Sequence, residues 1–121
     1  MGQPALKTPE ATAGTVAIDC GHLARMTFGD AALERELLQL FDRQAELLLG
    51  RMRSGDAGAV SALAHTLKGS ALGVGALLVA AAAEAVERAA AMPGREDALD
   101  RLAGAIGEAR AAIAGMLARS A

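Results

Sequence analysis

The 121-residue sequence has no tryptophan, no tyrosine, two phenylalanines (Phe28 and Phe41), three prolines and one cysteine. With a formal net charge of −2, it shows neither the basic stripe nor the stacking aromatics of a nucleic-acid binder. Cys20 has no second cysteine with which to form an internal disulfide, and no ligand partner at zinc spacing. No apolar run approaches the ~18 residues needed to span a bilayer. The opening MGQPALKTPEATAGT lacks the basic start and apolar stretch of a secretory signal. A soluble cytoplasmic chain that contacts neither membrane nor nucleic acid is the simplest expectation. Strand formers are scarce too: valine and isoleucine are few beside alanine and leucine, the strong helix formers.

What is present is helical periodicity broken by clear punctuation. Residues 1–17, rich in Pro, Gly and Thr, read as a flexible N-terminal tail, and residues 18–121 as one domain. Asp19 caps a short helix to about Thr27 with Leu23 and Met26 facing inward, and Phe28-Gly29 ends it. Asp30 caps a second helix over about 30–53. Its stripe of Leu33, Leu37, Leu40, Phe41, Gln44, Leu48 and Met52 runs in steps of three and four. Ser54-Gly55-Asp56 breaks the chain and caps a third helix over about 57–72, and Gly73-Val74-Gly75 forms the next turn. A fourth helix over about 76–91 sets Leu78, Ala82, Ala85, Val86 and Ala89 on one side, with Glu84, Glu87 and Arg88 on the other. Met92-Pro93-Gly94 stops it. A fifth helix over about 95–118 carries a seam of Leu99, Leu102, Ile106, Ala109, Ile113 and Met116. The pattern predicts an all-α fold: an antiparallel four-helix bundle with a short extra N-terminal helix lying over one end.

The third helix holds the candidate chemistry. Val60, Leu63, Leu67 and Ala71 define its expected buried stripe, and at ~100° per residue His65 falls about 160° from the stripe's centre. His65 therefore points to solvent. Lys68, three residues on, puts an ammonium within reach of a charge borne by the imidazole. Gly69, one turn on, leaves the ring uncovered, at a cost of roughly 1 kcal/mol relative to alanine inside a helix. Leu72 lies two turns along nearly the same face, where a leucine suggests something docks. A free imidazole titrates near pH ~6.5, so one nitrogen is nucleophilic at neutral pH. A phosphoryl group placed on it adds negative charge that a nearby lysine offsets.

The segment HTLKGSALGVGA, His65 to Ala76, resembles the signature of the histidine-containing phosphotransfer (HPt) family of phosphorelays. The preceding Leu37-Leu38-Gln39-Leu40-Phe41 and the Ser54-Gly55-Asp56 cap are also similar to that family. The resemblance covers about residues 18–121. It implies that His65 is the phosphoacceptor, on its Nε2. Lys68 then meets the phosphoryl group, Gly69 gives access, and Ser70 supports the histidine helix although its direction is nearer the core. Leu72 and Ala62 become candidate partner contacts. The implied function is a phosphorelay intermediate that takes a phosphoryl group from a receiver-domain aspartate and passes it to another response-regulator receiver. It also implies no kinase or ATPase activity of its own, a hybrid histidine kinase among the partners, and a monomeric chain. No cofactor or metal is expected on the chain itself, with Mg2+ on the receiver. Gly73 departs from the polar residue many members carry at that place, and no carboxylate is assigned by motif beside His65. Glu84 and Glu87 are open possibilities.

Other groups have plainer explanations. His22 and Cys20 lie close together but lack the third ligand a metal needs. No Walker loop, nucleotide fingerprint or nucleophile elbow occurs. Glu34, Glu36, Glu96 and Asp97 sit at helix starts or on exposed faces. Two alternatives stay open: a non-catalytic helical interaction module, and the histidine-phosphoacceptor dimerisation fragment of a sensor kinase. Against the second, Thr66 follows His65 where an acidic residue is usual, and no proline intervenes before Pro93.

Overall fold

The computed structural model describes residues 16–120, and the expected tail lies outside the described residues apart from 16 and 17. Five helices follow: α1 (Cys20–Thr27), α2 (Ala31–Ser54), α3 (Ala57–Val74), α4 (Leu77–Ala89) and α5 (Arg95–Ser120). No strand occurs among the described residues. Three starts are set by aspartates. Asp19, Asp30 and Asp56 each accept a hydrogen bond from the backbone N–H three residues on, at His22, Leu33 and Ala59. Such caps contribute about 1 kcal/mol each.

Helices α2 and α4 each pack against both α3 and α5, so four long helices close a ring around one core. The seam between α2 and α5 is antiparallel. Arg53, near the end of α2, meets Asp100, near the start of α5, at 3.4 Å, while Asp42 meets Arg110 further along at 2.8 Å. Arg110 also reaches Glu46 at 3.0 Å. Its hydrogen bond to Asp42 holds the guanidinium above the usual arginine range. These side chains are 32% to 61% exposed, so the cluster fixes register more than it stabilises.

The seam expected on α5 is realised: Leu99, Leu102, Ile106, Ala109 and Ile113 are buried, and Met116 packs at its edge. Helix α2 departs from expectation. Its buried residues are Leu38, Phe41, Ala45, Leu48 and Met52, whereas Gln44 is exposed, Leu33 and Leu40 are 37% and 43% exposed, and Leu37 is half-buried. Leucines occur on several sides of this helix, so periodicity alone admits more than one buried face. On α4 the core takes Val79, Ala80, Ala83 and Val86; of the expected stripe only Val86 is fully buried. Alanines on every face of α4 leave its orientation to α3 and α5, between which it lies.

Helix α1 closes one end of the bundle. It packs through Leu23 and Thr27, not Leu23 and Met26; Met26 is 49% exposed. Residues i and i+4 of this two-turn helix face the core, and Met26 falls about 100° aside from Thr27. The backbone anchors α1 to the end of α3: Asp19 N–H donates to the Gly75 carbonyl at 2.8 Å. Gly75 holds φ 80°, and a Cβ there would lie 2.7 Å from the Asp19 carbonyl oxygen. Both the conformation and the contact require glycine. The turn is thus Gly75-Ala76 alone, since α3 continues through Gly73 to Val74.

Candidate functional site

The tight turn at Gly75 makes α3 and α4 an antiparallel hairpin, which fixes what stands opposite what. His65 and Lys68 are three apart on α3; Glu87 and Glu84 are three apart on α4. Antiparallel running brings each to its counterpart. His65 Nδ1 lies 3.2 Å from Glu87 Oε2, and Lys68 Nζ lies 3.8 Å from Glu84 Oε1. Glu84 also holds Arg88, one turn along α4, with Nη1 at 3.0 Å from Oε2.

The buried set of α3 is Val60, Ala64, Leu67, Ala71 and Val74. Leu63, expected inside, is only half-buried, and Ala64 takes its place. This turns the buried stripe slightly toward α4 and brings His65 to the edge of the α3/α4 junction, where Glu87 reaches it. The His65 side chain remains 71% exposed while that of Glu87 is 30% exposed. A carboxylate at Nδ1 favours the tautomer with its proton there, which leaves the Nε2 lone pair available.

The surroundings of the ring are low. A Cβ added at Gly69 would meet nothing within 4 Å, so the space beside His65 is open. Leu72 is 41% exposed along the same face, and Ala62, one turn before His65, is exposed. Ser70 is not part of this cluster. It lies about 140° around the helix from His65 and lines an apolar groove against α2 with Met26, Leu40 and Gln44. Gly73 lines the same groove, with nothing within 4 Å of the Cβ it lacks.

An exposed imidazole with one nitrogen engaged by a carboxylate, an ammonium one turn away and no steric cover can act as a nucleophile toward a group brought by another protein. The Hpt domain family model matches residues 31–112. This chain belongs to the Hpt domain family. No curated protein and no solved structure matches it. The Hpt match takes in all of α2, α3 and α4 and most of α5, and its first residue is the first of α2. Membership gives the chain a phosphotransfer role in two-component systems, as a phosphocarrier and not a kinase. No helix among the described residues is long and apolar enough to cross a membrane.

Two features of this Hpt site were not assignable from its motif. Glu87 and Glu84 carry no signature of their own; the signal that finds them is the mirrored three-residue spacing across the hairpin, once the turn is placed at Gly75. His22, considered beside Cys20 as a metal ligand, instead has Nε2 2.6 Å from the Leu72 carbonyl oxygen. It donates there to a terminal carbonyl of α3 and fastens α1 to the helix that carries His65. Among the described residues no three His, Cys, Asp or Glu side chains converge as metal ligands would.

Proposed function

We propose that His65 is the phosphoacceptor, receiving a phosphoryl group from the aspartyl phosphate of one receiver domain and delivering it to the aspartate of another. The observation that carries this reading is the 3.2 Å contact of His65 Nδ1 with Glu87 on a ring otherwise open to solvent. With Nδ1 protonated against Glu87, the Nε2 lone pair attacks phosphorus, the phosphorus–oxygen bond to the receiver's aspartate breaks, and the carboxylate leaves with that electron pair. The ring then carries a phosphoryl group on Nε2, a proton on Nδ1 and a positive charge that Glu87 balances. Keeping that proton makes the imidazole a better leaving group, so the same contact serves the onward step to the next receiver.

Lys68 neutralises charge on the phosphoryl oxygens, and Gly69 admits the receiver's site to the ring. Leu72 and Ala62 meet the docked receiver. Ser70 supports the helix from the groove side. The Mg2+ required for aspartyl-phosphate chemistry belongs to the receiver, and this chain supplies no metal ligand to it. The donor receiver is taken to be that of a hybrid histidine kinase.

The test is phosphotransfer from a radiolabelled receiver to the wild-type chain and to His65→Gln. Acid-labile, base-stable label on the wild type alone is expected. Label on neither protein across a broad set of active receivers would leave the helical interaction module as the better description, and equal label on both would place the phosphoacceptor at a residue other than His65.

A further inference from the structure

Glu84 binds two cations at once, one on each carboxylate oxygen: Lys68 on Oε1 and Arg88 on Oε2. From this shared carboxylate we infer that Arg88 is a second cation for the phosphorylated imidazole, held beside Lys68 by Glu84 until the phosphoryl group arrives. The inference rests on the reading of His65 as phosphoacceptor.

Charge balance supplies the reason. In the unphosphorylated site Lys68 and Arg88 offset Glu84 and Glu87. A phosphoryl group adds up to about two negative charges and three acceptor oxygens. Glu87 is matched by the positive charge of the phosphorylated ring, so the phosphoryl oxygens need cations of their own. Lys68 alone leaves the new charge under-compensated, with the Glu84 carboxylate close by. The other arginines just beyond Arg88 are engaged elsewhere: Arg95 donates to the Ala90 carbonyl and Arg101 pairs with Asp97.

Arg88 is suited to the exchange. Its side chain is 69% exposed, and its bond to Glu84 is an i,i+4 pair on a helix surface, a kind that holds loosely in water. Its partner carboxylate also holds Lys68, so the guanidinium shares one anchor with the ammonium that the phosphoryl group would meet. A guanidinium fork matches two phosphoryl oxygens at once, which a carboxylate shared with Lys68 cannot outbid when a doubly charged group appears. Glu84 then holds both cations in reserve beside the site and competes with the phosphoryl group for them.

The experiment measures how the phosphoryl group partitions at equilibrium between this chain and a receiver domain, for wild type, Arg88→Gln, Arg88→Lys and Glu84→Gln. The side-chain Nε–H resonance of Arg88 is followed in the same samples before and after phosphorylation. Arg88→Gln is expected to shift the partition toward the receiver by about three- to tenfold, the scale of one charge-assisted hydrogen bond at an exposed site. Arg88→Lys is expected to recover part of that, and Glu84→Gln to shift the partition toward this chain. The Arg88 resonance moves on phosphorylation. An Arg88→Gln protein that partitions as wild type, or an Arg88 resonance that stays in place while His65-dependent label forms, overturns the inference and leaves the phosphocarrier reading intact. Absence of His65-dependent label in the wild type would overturn both.

Discussion

Glu87 Oε2 stands 3.2 Å from Nδ1 of His65, so the carboxylate engages one ring nitrogen of a side chain that is 71% exposed. Two changes at Glu87 separate its effects. Glu87→Gln keeps an acceptor for the Nδ1 proton but loses the charge that balances the phosphorylated ring; Glu87→Ala loses both. Phosphotransfer rates are expected to fall in that order. The alanine variant should drop at least about tenfold, corresponding to loss of ~1.4 kcal/mol of charge stabilisation. Stopped-time transfer assays measure the rates, and 15N shifts of the ring report the tautomer.

Gly69 separates stability from function. Since a Cβ at this position meets nothing within 4 Å, Gly69→Ala should stabilise the helix by about 0.5–1 kcal/mol through propensity alone. Gly69→Gln adds a side chain long enough to cover the imidazole. It should fold as well as wild type in thermal unfolding yet transfer the phosphoryl group much more slowly. Transfer unaffected by glutamine at this position would remove the access role from Gly69.

At the far end of the hairpin, Gly75→Ala meets two obstacles, φ 80° and a Cβ 2.7 Å from the Asp19 carbonyl oxygen. A cost of at least about 1–2 kcal/mol is expected from the left-handed conformation alone. His22→Ala removes one hydrogen bond to the Leu72 carbonyl and should cost about 0.5–1.5 kcal/mol. Urea unfolding measures both, and hydrogen exchange should show the loosening concentrated in α1 and the last turn of α3.

The core of α3 is less forgiving. Leu67 is fully buried between the helices of the bundle, and Leu67→Ala should cost 2–5 kcal/mol, about the range seen for such truncations. A cost near zero would contradict the buried stripe that turns His65 outward.

Where one face of a helix carries all the large apolar groups, the sequence pattern places it correctly. The seam of α5 from Leu99 to Ile113 was legible in this way, and the outward direction of His65 followed from Val60, Leu67 and Ala71 lying across the helix from it. The aspartate caps at positions 19, 30 and 56 were legible because each precedes a periodic stretch. The buried face of α2 was not, because Leu37, Leu38 and Leu40 point three different ways and only packing on α3 and α5 chooses among them. Helix α4 is alanine-rich on all sides, so its rotation too is a property of its neighbours. Met26 was misplaced because an eight-residue helix offers too few turns to define a stripe, and Thr27 took the inner position. Gly73 stays helical because α3 need not end until Gly75 adopts positive φ. The opposition of Glu87 to His65 is a long-range relationship. It depends on the register of the hairpin, and local patterns around either residue do not contain it.

The most direct measurement is a 15N–31P correlation spectrum of the phosphorylated chain with labelled histidine. One phosphoramidate signal coupled to Nε2 of His65, with Nδ1 protonated, is the expected result. Phosphorus on Nδ1, on His22, or on no histidine at all would contradict the assignment of Nε2 of His65 as the atom that carries the phosphoryl group.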